Sequence, residues 1–212
     1  MAQTVNSVIS ENSEKMPMYT YLGLAAVVLG LINMFVSPIT NNLETNPLYI
    51  IIALANSACT ALAMYYIYDS LKKGMANLET PLTSMLQYCA WLVLGYYGLS
   101  ILANLLAFAG GSLVGGGMFM TLAGLVGLVY LILDNSVGCK IMSNYEGKLK
   151  LLGILFVAIP AILVVSTIVG GFASFATGGG FGFAKIIGIL GAGLTAYQYL
   201  VAHEVITGKK LF

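Results

Sequence analysis

Apolar residues dominate six stretches of the chain, about residues 19–36, 48–68, 85–108, 118–133, 151–172 and 183–202, and polar residues collect between them. A helix needs about 20 residues to cross the hydrocarbon core of a bilayer. The fourth run is short by that measure and is expected to begin earlier, within the glycines that precede it. Pro38 stops the first run, and Pro160 is expected to kink the fifth. The pattern predicts an all-α integral membrane protein with six transmembrane helices. A polar arm occupies residues 1–18, the bundle residues 19–204, and a short basic tail residues 205–212. An arm of that composition would be free unless something docks it.

The ends of the even-numbered runs resemble one another. Tyr65, Tyr130 and Tyr199 are each followed four residues later by an ionisable group, Asp69, Asp134 and His203, with a lysine further on at Lys72, Lys140 and Lys209. The ionisable groups are spaced by 65 and then 69 residues, about the length of two spanning helices with their loops. The run starts match more weakly, with Glu14, Glu79 and Glu146 spaced by 65 and 67 residues. The predicted plan is three tandem two-helix hairpins, about 19–69, 81–134 and 148–204; chance similarity between interfacial residues is the alternative.

Composition agrees with a membrane setting: 59% of residues are hydrophobic and 8% charged, and mean hydropathy is +0.92. A soluble domain carries about 25% charged residues. All cationic side chains are lysines, which excludes an arginine clamp on phosphate or an arginine voltage sensor. A net charge of +1 argues against nucleic acid as a partner. If the helices alternate direction, Lys15, Lys72, Lys73, Lys140, Lys148, Lys150, Lys209 and Lys210 share one side and only Lys185 lies toward the other. The positive-inside rule then places both termini in the cytoplasm, with the glycine-rich turns 109–117 and 173–182 outside.

Candidate chemistry is sparse. His203-Glu204 begins like a helical zinc motif, but Thr207 stands where the second histidine would be. One histidine and three scattered cysteines, Cys59, Cys89 and Cys139, predict no metal and no cofactor. The glycine runs lack the pattern of a phosphate loop and read as plain loops. Gly95, Gly98, Ala123, Gly127, Gly188, Gly191 and Gly193 suit close helix contacts. Tyr65, Tyr130 and Tyr199 with Asp69, Asp134, His203 and Glu204 admit two readings. They form an interfacial tyrosine belt whose acids end their helices in water, or they converge on a threefold axis as a cation or gating site. The belt is the expected outcome because the charges sit at the run ends.

No nucleophile with its base can be assembled, so an enzyme is not expected. Missing catalytic groups and small-residue helix faces predict a structural or accessory subunit of a larger membrane assembly, partnered by the bilayer and by other membrane subunits or copies of itself. The second reading is a small-solute or cation transporter or channel built on the Asp/Asp/His cluster.

Overall fold

The computed structural model describes residues 3–36, 47–75, 82–109, 113–177 and 181–212. Six helices follow in order: α1 Met16–Val36, α2 Pro47–Met75, α3 Leu82–Phe108, α4 Leu113–Asn144, α5 Lys148–Thr177 and α6 Phe181–Thr207. All six contain stretches long and apolar enough to cross a membrane. Each helix packs on its neighbours in sequence, and α6 packs back on α1, so the bundle is a closed ring in chain order. The ring has no seam between the expected hairpins, since α2 packs along α3 and α4 along α5 as α1 does along α2.

Three helices run well past their apolar runs. The charged stretch that follows the apolar run ending at Leu133 is helical to Asn144, α2 continues through Lys72 and Lys73 to Met75, and α6 reaches Thr207. The reason is amphipathic spacing. Ile67, Leu71 and Met75 recur every four residues and are fully buried, as are Val137 and Ile141 on α4 and Val205 and Ile206 on α6. One face of each extension therefore buries apolar surface while the lysines on the other stay in water. Asp69, Asp134 and His203 consequently lie inside helices, not at their ends. The expected turns 109–117 and 173–182 are also largely helical, with residues 110–112 and 178–180 outside the described residues.

Packing is graded along the ring axis. At the end that bears the termini, Met16, Leu71, Met75, Leu82, Ile141, Leu149, Leu152 and Phe156 are all inaccessible. Toward the other end Val28, Ile32, Phe35, Met118, Leu125 and Val165 are exposed, an apolar outer surface suited to lipid. Helices α4 and α5 meet backbone to backbone. A Cβ on Gly138 would lie 2.8 Å from the Gly153 carbonyl oxygen, and one on Gly153 would lie 3.0 Å from the Gly138 oxygen.

The arm is docked on the chain's own helices. A strand at Gln3–Thr4 (β1) pairs in parallel with Tyr145–Glu146 (β2). The Val5 N–H donates to the Glu146 carbonyl at 3.1 Å, the Leu149 N–H donates to the Val5 carbonyl at 3.2 Å, and the Val8 N–H donates to the Val205 carbonyl at 2.6 Å. The Asn6 side-chain oxygen accepts from the Lys148 N–H at 3.4 Å, so the arm satisfies amides in the first turn of α5 that would otherwise lack partners. Val8 itself is buried against Gly74, where a Cβ would come within 2.6 Å of the Val8 carbonyl oxygen.

Candidate functional site

The seven residues singled out by sequence have unlike surroundings. Asp69 is partly exposed, pairs with Lys73 at 2.8 Å and accepts from the Asn12 side-chain amide at 2.9 Å. The Tyr66 hydroxyl fixes the same turn of the arm by donating to the Asn12 carbonyl at 2.9 Å. His203 is 3% exposed, and its Nδ1 lies 3.3 Å from the hydroxyl of Thr20 on α1. That hydroxyl also donates to the Met16 carbonyl at 2.9 Å. Glu204 pairs with Lys148. Tyr65 sits edge-on to Trp91. Three carboxylate or imidazole groups that look equivalent in sequence thus bind the arm, the ring interior and the α1–α6 seam respectively.

Asp134 differs most from expectation. It is 4% exposed and does not end its helix in water. Ten residues of α4 separate it from Asn144, about 15 Å of helix. One carboxylate oxygen accepts from the Tyr68 hydroxyl at 2.7 Å, and the Tyr130 hydroxyl lies 2.8 Å from the same Tyr68 oxygen. The Tyr68 ring is held in turn by stacking on Phe156, with centroids 5.6 Å apart. Among the described residues Asp134 makes no ion pair.

This cluster forms one end of a cavity of about 400 Å³ within the ring, to which α2, α3, α4, α5 and α6 contribute. Of the seven residues, Asp134, Tyr130 and Tyr199 line it, joined by Tyr96, Tyr97 and Gln198. Tyr199 lies across α1 at Gly23, where any Cβ would strike its ring at 2.5 Å. Its hydroxyl is buried and has no hydrogen-bond partner among the described residues. The expected tyrosine belt is therefore displaced inward, and the aromatics exposed at that level of the bundle are Tyr21, Tyr88, Trp91 and Tyr197.

Tyr68 is the central residue that the spacing argument passed over. The run Tyr65-Tyr66-Ile67-Tyr68 offers three tyrosines, and four-residue spacing to Asp69 selects the first; the one that faces the interior is three residues later. Replacing Tyr68 with phenylalanine removes the one hydroxyl of α2 that donates to the buried carboxylate among the described residues. A buried charge or acid that loses a partner is expected to lower stability by about 1–3 kcal/mol, measurable as a drop in the thermal midpoint of the purified protein. An unchanged midpoint would show that the Asp134 carboxyl does not depend on Tyr68.

Fold and site define an all-α protein with six long apolar helices closed into a ring around a cavity, with a buried acid and tyrosine cluster at one end. The chain matches no known protein family, no curated protein and no solved structure. Among the described residues no group of histidine, cysteine and acidic side chains is placed to hold a metal ion.

Proposed function

We propose that the protein crosses a membrane six times, with both termini in the cytoplasm, and binds and passes a small solute through the cavity within its ring. The observation that carries this reading is a buried carboxylate, without an ion pair among the described residues, in a cavity of about 400 Å³. Ligand cavities typically run from about 300 to 1,000 Å³, and an ionisable residue held inside a spanning bundle is a functional feature by default. Orientation is supported by the lysines, eight of which lie at or near the helix ends and in the segments on the terminus-bearing side.

The arm needs no partner to hold it, since its contacts with α2, α5 and α6 dock it on the chain itself. What still favours a partner is the open space in front of Gly98, Gly117 and Gly193, where a Cβ would meet nothing within 4 Å, since small residues let another helix approach closely. A triplicated origin for the hairpins is supported by the recurring spacing of Tyr65, Tyr130 and Tyr199 and by nothing in their packing.

The test is labelling of single cysteines, in a background lacking Cys59, Cys89 and Cys139, by membrane-impermeant thiol reagents. Cysteines at Leu48 and Ala109 are expected to react from outside intact cells, and one at Lys210 only after permeabilisation. Cysteines at the cavity positions Thr195 and Gln198 are expected to react from water as well. Labelling of Lys210 in intact cells would reverse the orientation, and unreactive cavity positions would remove the solute path.

A further inference from the structure

The cavity's chemistry restricts what it can hold, and the restriction rests on reading it as a solute site. We infer that its ligand is a small organic cation, an alkylammonium or quaternary ammonium compound, with the Asp134 carboxylate as counter-charge. Asp134 is the only acidic or basic side chain among the described lining residues, apart from the tyrosine phenols. An anionic solute would meet a carboxylate with no cation beside it, an arrangement that a low-dielectric interior penalises heavily.

A neutral, hydrogen-bonding solute such as a sugar or polyol would need many polar groups, and beyond the Gln198 amide and the phenol hydroxyls the lining offers little. The hydroxyls of Thr60 and Thr195 already donate to carbonyls of their own helices, at Asn56 and Gly191. Most of the remaining wall is aliphatic or aromatic, including Met64, Leu128, Leu131 and Ile159. A bare inorganic cation takes about six or more oxygen ligands, which one carboxylate among scattered phenols does not supply. An organic cation fits all three features at once: it brings charge for Asp134, alkyl surface for the aliphatic wall, and a soft positive face for tyrosine rings. Each aromatic contact to a desolvated ammonium contributes about 0.5–2 kcal/mol, and Tyr96, Tyr97, Tyr130 and Tyr199 all line the space.

The carboxylate is also held in place before any ligand arrives. Tyr68 donates to it, Tyr68 is positioned by its contact with Tyr130 and by its stack on Phe156, and beyond that layer Val137 and Ile141 are inaccessible. The carboxylate is therefore held at the cavity wall by a packed layer, which reduces the ordering needed on binding.

The experiment uses the full-length protein in lipid nanodiscs and compares choline with its uncharged isostere, 3,3-dimethyl-1-butanol, by titration calorimetry. Choline is expected to bind at least ~10-fold more tightly than the alcohol, and Asp134→Asn to remove that preference while leaving the alcohol unaffected. The asparagine oxygen still accepts from Tyr68, so the substitution removes charge and little else. Equal affinity for the two ligands in the native protein, or a preference for choline that survives Asp134→Asn, would overturn the assignment.

A second measurement does not depend on the Asp134 variant folding. A single cysteine at Thr195 is expected to react at least ~10-fold faster with a cationic methanethiosulfonate reagent than with its anionic sulfonate counterpart, because the local field concentrates cations. Equal rates, or a faster anionic reagent, would overturn the cation assignment while leaving the solute cavity standing. Failure to react with either would overturn the cavity reading and the cation assignment together.

Discussion

Leucine in place of Gly153 is expected to prevent the ring from closing. The nearest obstacles to a side chain there are the Ile141 Cγ2 at 2.8 Å and the Gly138 carbonyl oxygen at 3.0 Å. A carbonyl cannot rotate out of the way, so relief requires α4 and α5 to move apart. That movement would open the layer formed by Val137, Ile141, Leu152 and Phe156, all of which are inaccessible, and through Phe156 it would disturb Tyr68 and the buried Asp134. Overpacking a filled core costs about 1–3 kcal/mol even where side chains can adjust, and here the obstruction is backbone. Alanine at Gly138 should be nearly as damaging, because its Cβ would sit 2.8 Å from the Gly153 oxygen.

An internal control comes from Gly193, where a Cβ meets nothing within 4 Å. Alanine there improves helix propensity by about 1 kcal/mol and should leave the thermal midpoint unchanged or higher. The measurement is thermal unfolding followed by fluorescence-detected size exclusion. If Gly153→Leu and Gly193→Ala behaved alike, the close approach of α4 and α5 would be wrong.

Removal of residues 1–12 is expected to loosen the terminus-bearing end of the ring before the rest. Each hydrogen bond lost contributes about 1 kcal/mol, and those lost include the β1–β2 pairing, the Leu149 N–H to Val5 and the Val8 N–H to Val205. The deletion also exposes the surface covered by Val8 and leaves the first turn of α5 without the Asn6 cap. Asp69 would keep Lys73 but lose Asn12. Hydrogen exchange should therefore accelerate at residues 145–150 and 204–207 while the middle of α3, which the arm does not touch, stays protected. Uniform acceleration along all six helices would instead mean that the arm is needed for global stability. No change anywhere would mean that it is not docked in solution.

The number of helices was legible because each apolar run is long enough to stand out against its flanks. Helix ends were not, because the extensions carrying Lys72, Lys73 and Lys140 are amphipathic, and a charge every few residues reads as loop unless the four-residue rhythm of Ile67, Leu71 and Met75 is weighed against it. Asp69 and Asp134 show why local spacing could not locate the site. Both follow a tyrosine by four residues and both continue a helix, yet one faces the arm and the other the ring interior. That difference is set by the rotation of each helix about its axis, which depends on what packs against it. The arm was hidden for another reason: three of its docking bonds are made by backbone N–H and carbonyl groups at Val5 and Val8, which every residue except proline carries alike.

Closing the ring through α1 and α6 has a consequence for how the chain is made. Helix α1 is synthesised first, but one of its two neighbours, and the His203 partner of Thr20, arrive only when α6 has emerged. One of the arm's contacts waits as long, since the Val8 N–H bonds to the Val205 carbonyl. Contacts of such long sequence separation form late and slowly. A chain truncated before α6 thus keeps the arm's contacts with α2 and α5 but lacks the Val8–Val205 bond and leaves an open flank on α1, apolar surface that favours aggregation until the last helix arrives.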